Sequence, residues 1–520
     1  TLSEEMYIGH NMTSTLTLTY NKKIKGHSMS GLLVYEQFES LGSTLGASRT
    51  NFPFTSIDQL FAGGDDEEQS NWGTPAQDAR KGLIGRFNYD YKGKYLAEFS
   101  FRYDGSLKFH PDRRWGFFPS VSLGWRLSEE AFMKKFSNLD NLKVRGSYGI
   151  LGNDAVGGWQ WLTNYSFGNA YIFNQAPIKS IVSGGIPNVD LTWEKTATFN
   201  FGVDASIYKG LLAVEADVFY KRTYDILGSR NASMPQTFGA TLPSENYGIV
   251  KVKGFELQVK HDNKIGDFRY HVGGNVSWSR NKVIEKDYAA GAEPWNIPVG
   301  KTMGYRACFV ALGLFQSDEE AAAWPRFKGT QPTAGDVKYA DLNNDGIMDE
   351  RDKKVVSPYS NTPEIMFGLN LSASWKGFDF SALFQGAANR NVMLSGFATQ
   401  MFINGASNLP KYLYEDHWTP DNRDARYPKA WGPDHPSNNK SSTFWLINGN
   451  YVRLKNVELG YSISKDLLSR VGVDRLRIYV GGSNLFSIDH MPGYDPEKQD
   501  GGPNYYPQQR VFNMGVNITF

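Results

Sequence analysis

Cysteine is nearly absent: the single thiol, Cys308, has no partner in the chain, which excludes an intrachain disulfide framework and a four-cysteine zinc site. Charge bias is missing too. Lys plus Arg number 55 against 54 Asp plus Glu, a formal net charge of +1, so the basic footprint of a nucleic-acid binder is lacking and no nucleic-acid partner is expected. No run approaches the roughly 18 apolar residues of a transmembrane helix. The 8 histidines show no HExxH spacing, and no GxSxG elbow occurs. Gly300-Lys301-Thr302 imitates the end of a phosphate-binding loop, but Trp295 stands where that loop needs glycine. These absences leave no sign of an enzyme. The chain opens Thr1-Leu2-Ser3-Glu4-Glu5 rather than on a basic, then apolar, secretory leader, so we read it as a mature or interior segment.

Aromatic residues and glycine are abundant: 33 Phe, 28 Tyr, 13 Trp and 53 Gly in 520 residues, a mixture that favours strands and turns. Period-2 alternation recurs from end to end. Phe512, Met514, Val516, Ile518 and Phe520 share one face of a strand, while Asn513, Gly515, Asn517 and Thr519 share the other. Phe199, Phe201, Val203, Ala205 and Ile207 form a second apolar face, Val121, Leu123, Trp125 and Leu127 a third, and Phe367, Leu369, Leu371, Ala373 and Trp375 a fourth. A mean hydropathy of −0.45 does not argue against a membrane here, because every second side chain of a membrane-spanning strand faces a polar interior.

Further strands are expected near residues 12–20, 28–38, 82–91, 94–103, 141–150, 211–221, 251–261, 267–280, 377–388, 451–461 and 474–486. With the four alternating segments they total about fifteen, each about as long as a tilted transmembrane strand. Tyr91-Lys92-Gly93-Lys94, Tyr208-Lys209-Gly210 and Trp375-Lys376-Gly377 supply tight turns. The other connections, residues 39–80, 152–194, 222–248, 282–361 and 389–450, are long and rich in Gly, Pro, Asn, Asp and Trp. Short turns on one side and long loops on the other are the asymmetry of an outer-membrane barrel. Short helices are expected around Glu129–Phe136 and Lys465–Val471. No composition break marks a linker, so residues 1–520 read as a single β-barrel portion, all-β and antiparallel.

The sharpest local motif runs from Asp341 to Asp352. Asp341, Asn343 and Asp345 occupy loop positions one, three and five, Gly346 position six, the Ile347 carbonyl position seven, and Asp349 and Asp352 positions nine and twelve. This spacing wraps a hard cation in oxygen, and we expect Ca²⁺ in a structural role; the alternative is a loop of Asx turns holding no ion. The acidic run Asp65-Asp66-Glu67-Glu68 reads as solvated charge. Tyr89, Tyr91, Tyr95, Tyr103, Trp125, Trp278 and Trp375 are candidates for aromatic girdles at two membrane interfaces. Trp72, Trp159, Trp161, Trp295, Trp431 and Trp445 lie in expected loops, available to stack on a ligand or to pack within those loops.

Several ordered blocks resemble the second half of a SusC-like, TonB-dependent outer-membrane transporter. They are Arg113-Arg114-Trp115-Gly116-Phe117-Phe118-Pro119-Ser120-Val121-Ser122-Leu123-Gly124-Trp125-Arg126, Leu142-Lys143-Val144-Arg145-Gly146-Ser147-Tyr148-Gly149 with Gly152-Asn153, and Leu191-Thr192-Trp193-Glu194-Lys195-Thr196. Lys253-Gly254-Phe255-Glu256-Leu257, Gly335-Asp336-Val337-Lys338-Tyr339, Val452-Arg453-Leu454-Lys455-Asn456-Val457, Gly482-Ser483-Asn484-Leu485-Phe486 and Gly493-Tyr494-Asp495-Pro496-Glu497 follow, with a terminal Phe520. The resemblance implies the C-terminal majority of a 22-stranded barrel in the outer membrane of a Gram-negative bacterium, whose plug and first strands are not in this chain. It further implies import of a glycan or peptide, a SusD-like surface lipoprotein as lid, and energy from the TonB–ExbB–ExbD complex through the N-terminal part. The remaining partners would be the rest of the same barrel and plug and the lipid membrane, with a dimer of transporter–lipoprotein pairs as one assembly. A passive porin or adhesin, and a secreted β-rich glycoside hydrolase with paired carboxylates, are the competing readings.

Overall fold

The computed structural model describes residues 1–520 apart from 55, 65–68, 174–175, 241, 403–408, 432–436, 465–467, 469–471, 499, 502–505 and 507. The acidic run Asp65–Glu68 and, Leu468 excepted, the expected helix Lys465–Val471 therefore lie outside the described residues.

Fifteen strands form one sheet whose order follows the chain. They are β1 (Leu2–Ile24), β2 (His27–Arg49), β3 (Gln69–Tyr91), β4 (Tyr95–Ser106), β5 (Trp115–Arg126), β6 (Leu139–Asn153), β7 (Glu194–Ile207) and β8 (Leu212–Gly228). The order continues with β9 (Glu245–Ile265), β10 (Phe268–Glu285), β11 (Ile365–Trp375), β12 (Phe378–Ala388), β13 (Tyr451–Ser462), β14 (Arg475–Asp489) and β15 (Val511–Thr519). Each segment expected from alternation falls on one of these strands. The expected tight turns are the reversals between β3 and β4, β7 and β8, and β11 and β12; at the first, Lys92 and Gly93 take φ of 55° and 66°, the positive values that a turn matching strand twist requires.

The expected loop limits need correction. Residues 39–49 and 69–80 are not loop but the far halves of β2 and β3, paired from Phe38↔Arg80 to Arg49↔Gln69. These halves are mostly polar or small, with Leu41, Leu45 and Trp72 scattered among them, so no sustained period-2 signal marks them. Trp72 accordingly stands on a strand, where its indole N–H donates to Glu5 at 3.4 Å. The loop expected at 152–194 carries a hairpin, Tyr165–Phe173 with Ala176–Ser183, and that expected at 222–248 narrows to 229–244 because β8 and β9 extend into it. Instead of a helix over Glu129–Phe136 there is a 3-10 turn, Leu127–Glu129, followed by turns.

The chain divides into two compact units: residues 1–126, 145–200 and 221–249, and residues 127–144, 201–220 and 250–520. The first is built on β1–β5, with a small core of Phe109, Phe118, Leu191 and Trp193. Here Trp193 lies edge-on to Phe118, 5.2 Å between centroids, and its indole N–H donates to the Arg114 carbonyl at 2.8 Å. A Cβ at Gly116 would meet the Phe118 ring at 2.3 Å, so two of the blocks quoted above are one packing unit. The second unit contains β11–β15 and the long segments 286–364 and 389–450. Those segments fold around two cores, one of Phe309, Val337, Tyr339 and Met348, the other including Cys308, Val392, Leu394, Leu413 and Trp445. Burial pushes the Cys308 thiol up to about 11, which leaves it protonated and unreactive at neutral pH.

Candidate functional site

In the first unit, paired registers stack apolar residues across neighbouring strands on one face. His27, Tyr91, Tyr95 and Trp125 stand opposite one another at the short-turn end, and Tyr95 and Trp125 stack at 6.3 Å. Toward the loop end, Tyr35, Leu83, Tyr103 and Phe117 form another row, with Tyr103 stacked on Trp115 at 4.9 Å. Leu33, Phe87, Phe99, Val121 and Leu123 lie between them and are exposed. The two rows lie eight residues apart on each strand; at about 3.3 Å per residue and a tilt of about 40° that is a band about 20 Å tall, close to the roughly 25 Å apolar band of an outer-membrane barrel.

The same face recurs in the second unit. Trp375, Phe378, Tyr461, Ile478 and Val516 make one cross-strand row, and Ala373, Phe380, Leu459, Val480 and Met514 the next. The larger of these side chains are exposed, Met514 to 86%. Exposed Phe, Trp, Leu and Ile in continuous rows form the kind of apolar surface that membrane contact covers. The opposite face is polar: Arg477 binds Asp379 at 2.9 Å and Glu458 at 2.6 Å, and Asp262 meets His271 at 2.7 Å. Of the girdle candidates, Tyr91, Tyr95, Trp125 and Trp375 take the short-turn end, and Tyr103 and Trp278 lie toward the loops; Tyr89 faces the same way as Tyr91 but its hydroxyl pairs with His27 Nδ1 at 2.7 Å.

Buried polar groups fix the long segments. Asp336 is fully buried and accepts from the Thr333 N–H at 2.8 Å, the Trp431 indole at 2.8 Å and the Asn438 amide at 3.0 Å. The Asn438 side-chain oxygen Oδ1 in turn accepts from the Val337 N–H at 2.8 Å. Gly335 has φ of 85°, and a Cβ there would sit 2.5 Å from the Trp418 ring, so neither residue of the Gly335-Asp336 pair can change without disturbing the junction. A second knot involves Arg453, whose guanidinium binds Asp495 at 2.7 Å and Glu497 at 2.9 Å. Arg390 donates to the carbonyls of Pro496 and Lys498, and Arg306 binds Asp500 at 2.8 Å. The Gly493–Glu497 block is thus a strap tied by arginines from distant segments, which residue types alone do not reveal.

The expected cation ligands are all in one loop. Asp341 accepts from the N–H groups of Asn344 at 2.8 Å and Gly346 at 2.9 Å, Asn343 from Asp345 at 3.1 Å, and Asp345 from Ile347 at 3.0 Å. Asp352 is fully buried and accepts from Leu342 at 2.9 Å and Asp349 at 2.8 Å, while Ile347 bridges in parallel to Arg326. Among the described residues no three Asp, Glu, His or Cys side chains converge as a metal cage. The positive charge nearest the motif is its own Arg351, 2.6 Å from Asp345 and 2.8 Å from Asp349. Its hydrogen bond holds the Asp349 carboxyl below the usual carboxylate range.

The loop tryptophans are mostly packed. Trp445 is buried and donates to the Asn438 carbonyl at 2.7 Å, Trp431 serves Asp336, and Trp159 and Trp161 lie 5.9 Å apart with His110 edge-on to Trp161. The Trp295 carbonyl accepts from the Lys301 ammonium at 2.6 Å.

Residues 3–485 match the family model described as TonB dependent receptor-like, beta-barrel. Among curated relatives, TonB-dependent receptor P3 of Formosa agariphila is 26% identical over 98% of this chain and 52% of its own length. TonB-dependent receptor SusC of Bacteroides thetaiotaomicron is 26% identical over 84% of this chain and 43% of its own. The chain thus spans about half the length of the curated relatives it matches. A solved structure of the RagAB peptide importer in an open-open state superposes with a TM-score of 0.79 at 23% identity, covering 100% of this chain and 55% of that one. An antiparallel sheet in chain order, an aromatic-edged apolar face of bilayer height and a family match over nearly the whole length agree, and the chain belongs to the TonB-dependent receptor β-barrel family of the outer membrane, whose members are transporters rather than enzymes.

Proposed function

We propose that this chain is the barrel portion of a SusC-like importer that draws a glycan or peptide across the outer membrane, with a SusD-like lipoprotein as lid and TonB supplying the energy. The observation that carries the reading is the pairing of the apolar band with long segments that have their own buried cores. A passive pore needs only a wall, whereas a lidded importer needs fixed outer surfaces against which a lid can close. The RagAB peptide importer's name supports the peptide class, and the glycan class rests on the resemblance to SusC-like transporters.

The test uses the full-length protein in its own cell. A deletion strain is expected to lose growth on one glycan or peptide class, and loss of TonB function is expected to abolish the same uptake while the substrate arrives chemically unchanged. Uptake that persists without TonB would leave a passive pore, and substrate cleaved by the purified protein would leave the hydrolase.

Calcium in the Asp341–Asp352 loop belongs to the same proposal, in a form set by Arg351. The guanidinium already sits between Asp345 and Asp349, so a cation and Arg351 compete for the same carboxylates. Arg351→Ala is expected to tighten Ca²⁺ binding by about tenfold, about 1.4 kcal/mol, and Asp345→Ala to remove it, as read by calorimetric titration of the purified transporter. No heat change at millimolar Ca²⁺ in either wild type or Arg351→Ala would leave the loop as a set of Asx turns.

A further inference from the structure

Above the apolar band in the second unit lies a feature that transport does not require. Phe255 on β9 and Trp278 on β10 pair at 6.0 Å between ring centroids, marking the outer aromatic level. Counting back along β9 by twos from Phe255 gives Lys253 and Lys251; counting forward along β10 from Trp278 gives Arg280 and Lys282. Alternation therefore puts all four cations on the same face as the band, just past its aromatic edge and toward the long loops. With Tyr220 from β8 and Lys301 they line a cavity of 560 Å³.

The charges in this cavity are unbalanced. Arg280 is held by Glu364 at 2.7 Å and lies over the rings of Trp278 and Tyr359; Lys301 is held by the carbonyls of Pro294 and Trp295. Lys251, Lys253 and Lys282 have no ion-pair partner among the described residues, and no carboxylate is among the described residues lining the cavity. Three ammonium groups gathered without a counter-charge repel one another, and an anion seated among them would relieve that cost. A substrate moving through the interior meets the other strand face. What meets this face, one step beyond an aromatic girdle, is the headgroup layer.

We propose that Lys251, Lys253 and Lys282 bind a phosphate-bearing lipid headgroup of the outer leaflet, with the acyl chains running down the Phe255–Trp278 face. Tyr220 supplies a hydroxyl donor, and Tyr305, whose own hydroxyl donates to the Asn296 carbonyl at 3.2 Å, forms a flank of the cavity. The lysines' flexible stems let their ammonium groups rise to the phosphate while the methylenes stay against apolar surface.

The experiment uses the purified full-length transporter and native mass spectrometry, with a diphosphorylated glucosamine-disaccharide lipid as probe. Wild type is expected to retain the lipid, and the triple variant Lys251→Ala, Lys253→Ala, Lys282→Ala to lose at least tenfold in affinity. The triple Lys→Arg variant is expected to keep it, which separates charge from folding, and heat-modifiable gel mobility checks that each barrel is formed. A dephosphorylated lipid is expected to bind wild type no better than the probe binds the triple Ala variant. Equal binding of the probe by wild type and a folded triple Ala variant overturns the proposal, as does equal binding of the dephosphorylated lipid. Full displacement by millimolar inorganic phosphate, or by a soluble acidic oligosaccharide, would reassign the cavity to a free anion and overturn the lipid.

Discussion

Replacing Arg453 by Ala is expected to release the strap at 491–501 and to cost about 3–5 kcal/mol, the penalty of leaving buried charges without their partner. Arg453 is 3% exposed, and the two carboxylates it serves, Asp495 and Glu497, lie 42 and 44 residues away in sequence. Without it Asp495 keeps its burial and loses its guanidinium. Arg453→Lys is expected to recover only part of the loss, because a single ammonium cannot reproduce a guanidinium fork serving two carboxylates. Limited proteolysis reads the effect directly: cleavage within 491–501 should appear in Arg453→Ala under conditions that leave wild type intact, while the band strands stay protected. A resistant strap in the variant would show that Arg390, Arg306 and Lys455, which lies 3.5 Å from Glu497, hold it without Arg453.

The second large effect is expected at Asp336. Asp336→Ala strips one acceptor from the Thr333 amide, the Trp431 indole and the Asn438 side chain at once, and each buried donor left unpaired costs about 1–3 kcal/mol. The loss summed over this knot exceeds what a loop core of four residues can absorb, so the Phe309, Val337, Tyr339 and Met348 cluster is expected to open as a unit. Amide hydrogen exchange over 309–340 should rise by two or more orders of magnitude, with exchange in β12 and β13 unchanged. Asp336→Asn is expected to fall between, because it keeps one acceptor oxygen but turns a donor toward the Thr333 amide. Unchanged exchange in Asp336→Ala would show that the hydrophobic cluster, not the carboxylate, fixes the junction.

The contrast between these knots and the strands marks where sequence reading succeeds. Alternation located every strand of the large sheet, because a strand lapped by lipid on one side must put an apolar side chain at every second position, and Phe512 to Phe520 does this without interruption. It stopped at residue 38 in β2, where the strand continues to Arg49 in mostly polar or small residues without sustained alternation. The Gly335-Asp336 and Gly493–Glu497 blocks were visible as text, but their partners Trp431, Asn438, Arg453 and Arg390 come from remote segments, and no local periodicity relates them. The Asp341–Asp352 spacing was equally visible, and what it left out was Arg351, a neighbour whose charge contends for the same oxygens. In the cavity at Lys251, Lys253 and Lys282 each lysine looked like ordinary strand polarity until two strands placed them side by side.

The long pairing of β2 with β3 has a separate consequence for how such a wall changes over time. From Phe38↔Arg80 to Arg49↔Gln69 the ladder stands clear of the band, about 40 Å of strand at about 3.3 Å per residue. Inserting two residues in each strand at the same register lengthens it while returning every later side chain to its original face, since the repeat of a strand is two. Height above the lipid is therefore an adjustable dimension, uncoupled from the thickness that the bilayer dictates. Odd-numbered insertions, by contrast, turn the distal wall inside out, so indels among relatives of this chain should favour even lengths here and show no such parity in the 50–68 connection.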